Sequence, residues 1–440
     1  MKKALIIGAA ISGCGAARLL NSKGYEVYLS DKGKIEQQKE LEKLGIKVFP
    51  NGHPESLKKL KYDLIVKNPG IKYDTPFVKY FCDAGYKMYN EIEIATKYGK
   101  GLVIGAVTGT NGKTTTTTIL GEILKENDPQ SITAGNIGHS LCDYVYQDGN
   151  ITRNVALEIA AFQLLGTENF KPKVSVIINL TPDHLDYFGT LDKYYKAKTL
   201  VYKHQTKEDY FLRNVDDPQV LKYCQDIPAT VIDFSLERTD VPLHIANGKA
   251  YYNDQELFCL DQFSLPGRHN LQNALIASGM AYLMGCTPGQ IAKVLHSFKG
   301  VEHRIEYVDQ INGVKYYNDS KGTNVDATIV ALKAFEQPIH LLAGGYDKHL
   351  SFEGLRPYLG KIKQMYVFGA TKEQLKQLDP RAIVLDNMDQ ALALASKNAL
   401  KGEVVLLSPA CASWDQFPNY EVRGELFKEA VKKLKKTSES

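Results

Sequence analysis

The sequence has no apolar run long enough to cross a bilayer. The longest, such as Val174–Leu180, falls far short of the ~20 residues a membrane span requires. Net charge is nearly absent as well, because 54 Lys and Arg face 50 Asp and Glu and leave only +4 on 440 residues. That points to neither nucleic acid nor an anionic membrane surface, although local basic pockets for phosphates remain open. The seven cysteines (Cys14, Cys82, Cys142, Cys224, Cys259, Cys286 and Cys411) form no C-x-x-C pair. Neither a disulfide framework nor a metal cluster is implied, and a reduced, cytoplasmic protein is expected. No repeat of ~20–50 residues is present. No low-complexity stretch stands out apart from the polar tail Lys435–Ser440. Met1-Lys2-Lys3 followed by Ala4–Gly8 imitates a signal peptide only briefly, since Arg18 and Lys23 arrive soon and no apolar region continues.

What is present is alternation of strand-like and helix-like stretches over a length that suits about three domains of ~150 residues. The first block opens with strands at Ala4–Gly8, Glu26–Ser30 and Tyr62–Val66 and a helix at Ser12–Lys23. The second has strands at Leu102–Val107, Val155–Glu158, Val174–Leu180 and Tyr210–Arg213, and closes with helices at Asn270–Met284 and Thr287–Ser297. The third has strands at Ile339–Ala343, Met365–Phe368, Ala382–Leu385 and Val404–Ser408. We place the boundaries at 1–92, 93–298 and 299–440. Such alternation predicts an α/β protein with parallel sheets, helices on both faces, and ligands at the carboxyl ends of the strands.

The chemically dense segments fall at those ends. Thr108-Gly109-Thr110-Asn111-Gly112-Lys113-Thr114-Thr115 follows a β-branched strand and opens a threonine-rich helix. Glycines let backbone N–H groups approach a polyphosphate and the helix N-terminus adds positive potential, while Lys113 would reach terminal phosphates and the Thr114 hydroxyl a Mg²⁺ ion. The formal phosphate-loop pattern requires a glycine where this chain has Val107, so it fails by one position. Glu158 ends one apolar strand, and His184 lies just past another in Thr181-Pro182-Asp183-His184-Leu185-Asp186. A carboxylate in that position is costly to bury unless it meets a cation, and an imidazole can complete a second ion site. By spacing alone Lys198 reads as a helix-surface lysine. Asn270 and Asn273 share one helix face, where they could read adenine or phosphate or simply cap the helix.

In the last block, Glu302-His303-Arg304, Asn318–Asn324, Gly344–Lys348 and Ser408–Phe417 are polar loops suited to holding a carboxylate-bearing amino acid, though each alone also reads as a turn. At the start, Gly8-Ala9-Ala10-Ile11-Ser12-Gly13 approximates the dinucleotide fingerprint with Ala10 in place of the middle glycine, and Asp31 follows the second strand.

Taken together and in order along the chain, these segments resemble the Mur ligases. The resemblance rests on the phosphate loop, Glu158 with Phe162-Gln163-Leu164, Asp183-His184-Leu185-Asp186, the Asn270/Asn273 helix and Asn318-Asp319-Ser320-Lys321. Asn68-Pro69-Gly70-Ile71 and the ending Ser408–Phe417 with Tyr420 and Arg423-Gly424 resemble the D-glutamate-adding branch.

The resemblance implies three domains: a Rossmann-like N-terminal domain, a central P-loop-type mononucleotide-binding α/β domain and a C-terminal Rossmann-like α/β domain. It implies a monomeric, cytoplasmic ligase that uses ATP and Mg²⁺ at two sites to add D-glutamate to UDP-N-acetylmuramoyl-L-alanine, with no nucleic-acid or membrane partner. Gly109, Thr110, Asn111, Gly112, Lys113, Thr114 and Thr115 would hold the ATP phosphates; Asn270, Asn273, Arg304 and Asp319 the adenosine; and Lys321 would sit near the phosphates. Thr114 and Glu158 would bind one metal. His184 and Lys198, the latter as a carbamate, would serve the second. Ile11, Ser12, Asp31, Lys32 and Gly70 match the uracil and diphosphate region, and Asn136 the muramoyl contact. Thr323, Lys348, Ser413, Trp414 and Tyr420 match the amino-acid pocket. Closure of the third domain would use linkers near Asn90 and Gly300.

Ala160 and Ala161 depart from the serines that usually follow Glu158, removing a hydroxyl on the substrate side. Rival expectations are a sibling Mur ligase, a folylpolyglutamate synthase, or a regulator that senses ATP without ligating anything.

Overall fold

The protein is described by a computed structural model covering residues 1–149, 152–263, 265, 267–347 and 351–439. Lys348 lies outside the described residues. Three sheets, each the centre of an α/β domain, organise the chain.

The first sheet contains β1 (Lys3–Ile7), β2 (Glu26–Ser30), β3 (Lys47–Phe49), β4 (Leu64–Lys67) and β5 (Met88–Tyr89), in the order β3-β2-β1-β4-β5 and all parallel. Strand order runs outward in both directions from β1, so a crevice opens at the carboxyl ends of β1 and β4.

The central sheet contains β6 (Leu102–Thr108), β7 (Ile132–Gly135), β8 (Arg153–Glu158), β9 (Val174–Ile177), β10 (Tyr210–Asn214), β11 (Thr230–Ser235), β12 (Leu243–Ala246), β13 (Lys249–Tyr252) and β14 (Gln255–Cys259). Their order is β14-β13-β12-β11-β10-β9-β6-β8-β7. β6 lies between β8 and β9, the second such crossing point, and β13 and β14 add an antiparallel edge.

The third sheet orders β15 (Glu306–Ile311), β16 (Val314–Asn318), β17 (Ile339–Gly344), β18 (Ile362–Phe368), β19 (Ile383–Val384) and β20 (Val404–Leu407) as β15-β16-β20-β17-β18-β19, with only β15 antiparallel to its neighbour.

Packing divides the chain into two compact units. Met1–Phe263 with His269–Phe298 forms one, and Ser264–Arg268 with Lys299–Ser440 the other. The first two sheets thus share a unit, and one apolar core runs from Ala4 and Ile6 through Ile92 and Ile94 to Leu157 and Phe211. The stretch expected to be a mobile linker at Asn90 is firmly tied. Asn90 is 2% exposed, its N–H donates to the Gly166 carbonyl (3.0 Å), its side-chain amide donates to the Gln163 carbonyl, and its Oδ1 caps the helix Glu91–Tyr98 at Glu93 N (3.0 Å). Helix Ile11–Ser22 approaches the N-terminus of helix Leu141–Asp148 closely. The Arg18 guanidinium meets Asp143 Oδ1 at 2.8–2.9 Å, and buried Glu91 accepts from the Ser140 hydroxyl (2.9 Å).

Helix Lys113–Asn127 begins with five consecutive threonines, β-branched residues that each cost a helix roughly 0.5 kcal/mol relative to alanine. Burial offsets this: Thr114, Thr115, Thr116 and Thr117 are all buried, and the Thr118 hydroxyl donates to the Thr114 carbonyl (2.8 Å). No helix among the described residues is long and apolar enough to cross a membrane.

Candidate active site

β6 ends at Thr108 and the chain turns through Gly109–Gly112 into helix Lys113–Asn127. Gly112 takes φ +84 at the helix cap, and a Cβ there would lie 2.5 Å from Asn273 Oδ1, so only glycine fits. The loop is fastened from the segment after β9. Asn179 Oδ1 accepts the N–H groups of Thr110 (3.1 Å) and Asn111 (2.8 Å), Asn179 Nδ2 donates back to the Asn111 carbonyl (3.2 Å), and the Thr110 hydroxyl donates to the Thr181 carbonyl (3.0 Å). Lys113 Nζ curls over its own loop, donating to the carbonyls of Gly109 (3.0 Å) and Thr110 (2.7 Å). The Val107 departure does no harm, because Val107 is a fully buried strand residue paired in register with Glu158.

That register sets Glu158 beside the loop. The residue is 2% exposed; Oε1 accepts from Asn136 Nδ2 (2.9 Å), and Oε2 is buried without any hydrogen-bond partner. A bare carboxylate oxygen in a dry site fits a cation, and Thr114 (8% exposed) stands on the helix that the loop opens. Asn136, implied as a substrate contact, orients this carboxylate, and its own N–H donates to the Glu158 carbonyl (2.9 Å).

Lys198 is not the surface lysine that its spacing predicts. It is 1% exposed, donates to the Gly109 carbonyl (2.7 Å) and lies 4.5 Å from the centre of the Tyr194 ring. Burial first and the nearby Lys113 charge second push its amine well below the ordinary lysine range, against the opposing pull of Asp183 and Glu158. Lys113, Glu158, Asp183 and Lys198 therefore form one electrostatic group. His184, at φ +50, heads the short helix Leu185–Phe188. Its ring meets Phe162 and Tyr194 edgewise, and its Nε2 is 3.5 Å from Asp183 Oδ2.

Asn273 sits beneath the loop, 3% exposed, and accepts from the Thr116 hydroxyl (3.2 Å). Its visible work is to hold the loop against the helix Arg268–Leu283.

In the first sheet, Asp31, Lys32, Gly70 and Ile71 line a cavity of about 640 Å³ at the carboxyl edge, with His53 and Phe77 stacked 4.4 Å apart in its wall. Asp31 is fixed by accepting from Ala9 N and Gly33 N, both at 2.7 Å. Ser12 Oγ accepts from Asn68 Nδ2 (3.3 Å), whereas Ile11 is 61% exposed.

The polar loops of the third sheet follow β16, β17 and β20. Asp319 is buried, with its Oδ2 taken by Ser408 Oγ (2.7 Å) and its Oδ1 by Ile305 N (3.2 Å). Burial pushes its carboxyl up to about 6 in spite of Arg304. Arg304 lies between two residues of positive φ, His303 (+62) and Ile305 (+45), and its Nε is buried without a partner. Lys321 Nζ is 5.6 Å from the centre of the Tyr420 ring, Ser413 is buried, and Trp414 and Tyr346 pack together at the surface.

A residue missed as a site component joins these loops. Arg423, fully buried, donates to Ser320 Oγ (3.0 Å), the Ser320 carbonyl (2.8 Å) and the Cys411 carbonyl (3.1 Å). Arg423→Ala is expected to destabilise this unit by about 3 kcal/mol, since three acceptors lose a charged donor, and Arg423→Lys should recover less than half. Urea unfolding of both variants checks this.

Comparison with known proteins follows the same lines. Residues 107–281 match the Mur ligase middle domain and residues 303–411 the Mur ligase glutamate ligase domain. The chain is 41% identical to the UDP-N-acetylmuramoylalanine--D-glutamate ligase of Geobacillus sp. (strain WCH70), over 99% of this chain and 98% of that one. It is 40% identical to the protein of the same name from Bacillus subtilis (strain 168), over 98% and 97%. Among solved structures, the UDP-N-acetylmuramate-alanine ligase of Thermotoga maritima shares the fold at a TM-score of 0.61 and 20% identity, covering 99% of this chain and 100% of that one.

Proposed function

Because the chain belongs to the Mur ligase family, we propose that it joins D-glutamate to UDP-N-acetylmuramoyl-L-alanine with conversion of ATP to ADP and phosphate, as a cytoplasmic step of peptidoglycan precursor synthesis. Identity of about 40% over the whole length to ligases of that name supports the substrates. The observation that carries the chemistry is Glu158 Oε2, buried and unpartnered one strand away from the phosphate loop. We take 1–92 as the domain for the UDP-linked substrate, 93–298 as the ATP-binding domain and 299–440 as the domain for the amino acid.

In the proposed reaction the L-alanyl carboxylate attacks the γ-phosphorus of ATP, giving an acyl phosphate and ADP. The D-glutamate amine then attacks the acyl carbon and phosphate leaves. Thr114 and Glu158 would hold one Mg²⁺, and His184 with Lys198 the second; bound there, the ions would offset charge on the phosphoryl oxygens. The loop N–H groups from Gly109 to Thr115 would bind the phosphates, and Lys113 would exchange its two carbonyl acceptors for a terminal phosphate oxygen. As an ammonium, Lys198 would repel a cation. As the neutral amine that burial favours, it can add to CO₂ with loss of a proton, giving a carbamate that replaces the positive charge with a negative one.

Asp319, Arg304, Asn270, Asn273 and Lys321 are assigned to ATP. Thr323, Lys348, Ser413, Trp414 and Tyr420 are assigned to the amino acid, and Ile11, Ser12, Asp31, Lys32, Gly70 and Asn136 to the UDP-linked substrate. None of the seven cysteines is given a chemical role.

Phosphate release measured with ATP, Mg²⁺, UDP-N-acetylmuramoyl-L-alanine and either D- or L-glutamate tests the proposal. Release is expected only with D-glutamate. Turnover with a different nucleotide-linked substrate would mark a sibling ligase, and ATP turnover indifferent to amino acid would mark a sensor.

A further inference from the structure

Lys67 ends β4, just ahead of the Gly70–Lys72 stretch that lines the first-sheet cavity, and is only 3% exposed. Its Nζ donates to three carbonyls of the loop that follows, those of Asn68 (3.1 Å), Pro69 (3.3 Å) and Ile71 (2.6 Å), and lies 4.5 Å from the centre of the Tyr73 ring. Among the described residues no carboxylate pairs with it. A buried ammonium without a counter-ion is expensive, so an uncharged residue would serve a purely structural core better. The Lys67 charge is spent instead on the Asn68–Ile71 loop, whose Gly70 and Ile71 face the cavity together with Asp31 and Lys32. From the far side the Tyr187 hydroxyl reaches two of the same carbonyls, Pro69 (3.2 Å) and Ile71 (3.4 Å).

We infer that Lys67 is a positioning residue for the nucleotide-linked substrate: its ammonium gathers the carbonyls of Asn68, Pro69 and Ile71 and thereby sets the wall that Gly70 and Ile71 present to the ligand. This rests on the proposed use of the cavity for the UDP end of that substrate. Three acceptors around one nitrogen match the three protons of an ammonium. A neutral amine has one proton fewer and turns a lone pair toward a carbonyl, so the loop loosens when Lys67 loses its charge.

Burial pushes Lys67 down to about 8, within reach of ordinary assay conditions. The titratable groups facing it behave differently. Cys82 on helix Pro76–Asp83 and the phenols of Tyr73 and Tyr187 are all raised by burial, and the neighbouring carboxylate, Asp74, acts on Tyr187. The sign follows: a lysine lowered in the folded state is charged, and the loop ordered, below about 8, and that order is lost as pH rises through this value.

The test is steady-state kinetics of the full chain with UDP-N-acetylmuramoyl-L-alanine, D-glutamate and ATP, at a series of pH values from about 7 to about 9. For the natural protein, KM for the UDP-linked substrate should rise several-fold across the series, while KM for ATP and for D-glutamate does not follow it. Lys67→Met should start with that KM raised roughly tenfold at the low end, about the loss of one good hydrogen bond to a charge. Its KM should then stay flat with pH, and kcat should stay within about twofold of the parent. A KM for the natural protein that is flat across the series overturns the inference, as does a Lys67→Met variant that keeps both the parental KM and its pH dependence. Should the variant not fold, the series on the natural protein decides alone. Ligation with a flat KM rejects only the role of Lys67. Absence of ligation at every pH rejects the proposed function, and with it the substrate that Lys67 is said to position.

Discussion

Glu158→Gln lowers turnover about a thousandfold, yet leaves the protein without metal about as stable as the parent; this is the expected result of changing one atom in a well-supported side chain. The amide oxygen can still accept from Asn136, so the geometry set by β7 and β8 survives. What changes is the unpartnered Oε2, which becomes an NH₂ group that turns protons toward any cation. In the free protein the change removes both the desolvation cost of the buried charge and its attraction to Lys198, and the two largely offset each other. Thermal unfolding with and without Mg²⁺ and ATP separates the two effects. The parent should be stabilised by the ligands, and the variant should start close to the parent and respond less. A variant with parental turnover would remove Glu158 from the metal site.

Lys198→Ala is the second large effect. Turnover is expected to fall by roughly a thousandfold, and millimolar formate or acetate should restore part of it by supplying a carboxylate where the carbamate stood. Lys198→Arg should be as inactive as alanine, since a guanidinium stays charged and cannot add CO₂. The position tolerates little else, with the side chain 1% exposed and bonded to the Gly109 carbonyl. Full activity in Lys198→Ala, or equal inactivity with and without added carboxylates, would reject the carbamate.

Lys198 also shows where sequence alone runs out. Its spacing in Leu191–Thr199 gives a surface lysine, but Tyr194, Tyr195, Ala197 and Lys198 together form the buried face of that helix. No local pattern says that a lysine ends up under a phosphate loop; only the resemblance raised it. The strand–loop–helix turn from Thr108 to Lys113, by contrast, was legible despite Val107, because glycines after an apolar strand and a run of helix positions beyond them leave few other readings. Asn179 and Lys67 went unnoticed, and Arg423 entered only through the resemblance and not as a site residue, because each acts by holding backbone carbonyls or amides brought close only by the fold.

The strand pattern was readable where buried parallel strands are long apolar runs, as in β6, β9 and β17. It failed at the antiparallel edges, where strands are half-exposed. Signals were present there: Asn247-Gly248 links β12 to β13 and Asn312-Gly313 links β15 to β16, each pair at positive φ, as tight hairpins require. Strand ends were accurate to within about three residues: β9 stops at Ile177 and not Leu180, β18 starts at Ile362 and not Met365, and β4 runs from Leu64 to Lys67 and not from Tyr62.

Gly15 gives the first two sheets a shared fate. A Cβ at this position would stand 2.5 Å from Ser140 Oγ and 3.0 Å from Asp143 Oδ2, so any other residue would push helix Ile11–Ser22 off helix Leu141–Asp148. Seven of the twelve residues in Ile11–Ser22 are buried, more than one face of a helix, because it is covered by its own sheet and by its neighbour. A fragment cut after the first sheet would therefore expose an apolar stripe on each half and strand Arg18 and Asp143 without their partners. The regions proposed to receive the nucleotide sugar and the triphosphate share one packed unit and one apolar core, so they are expected to be built and lost together.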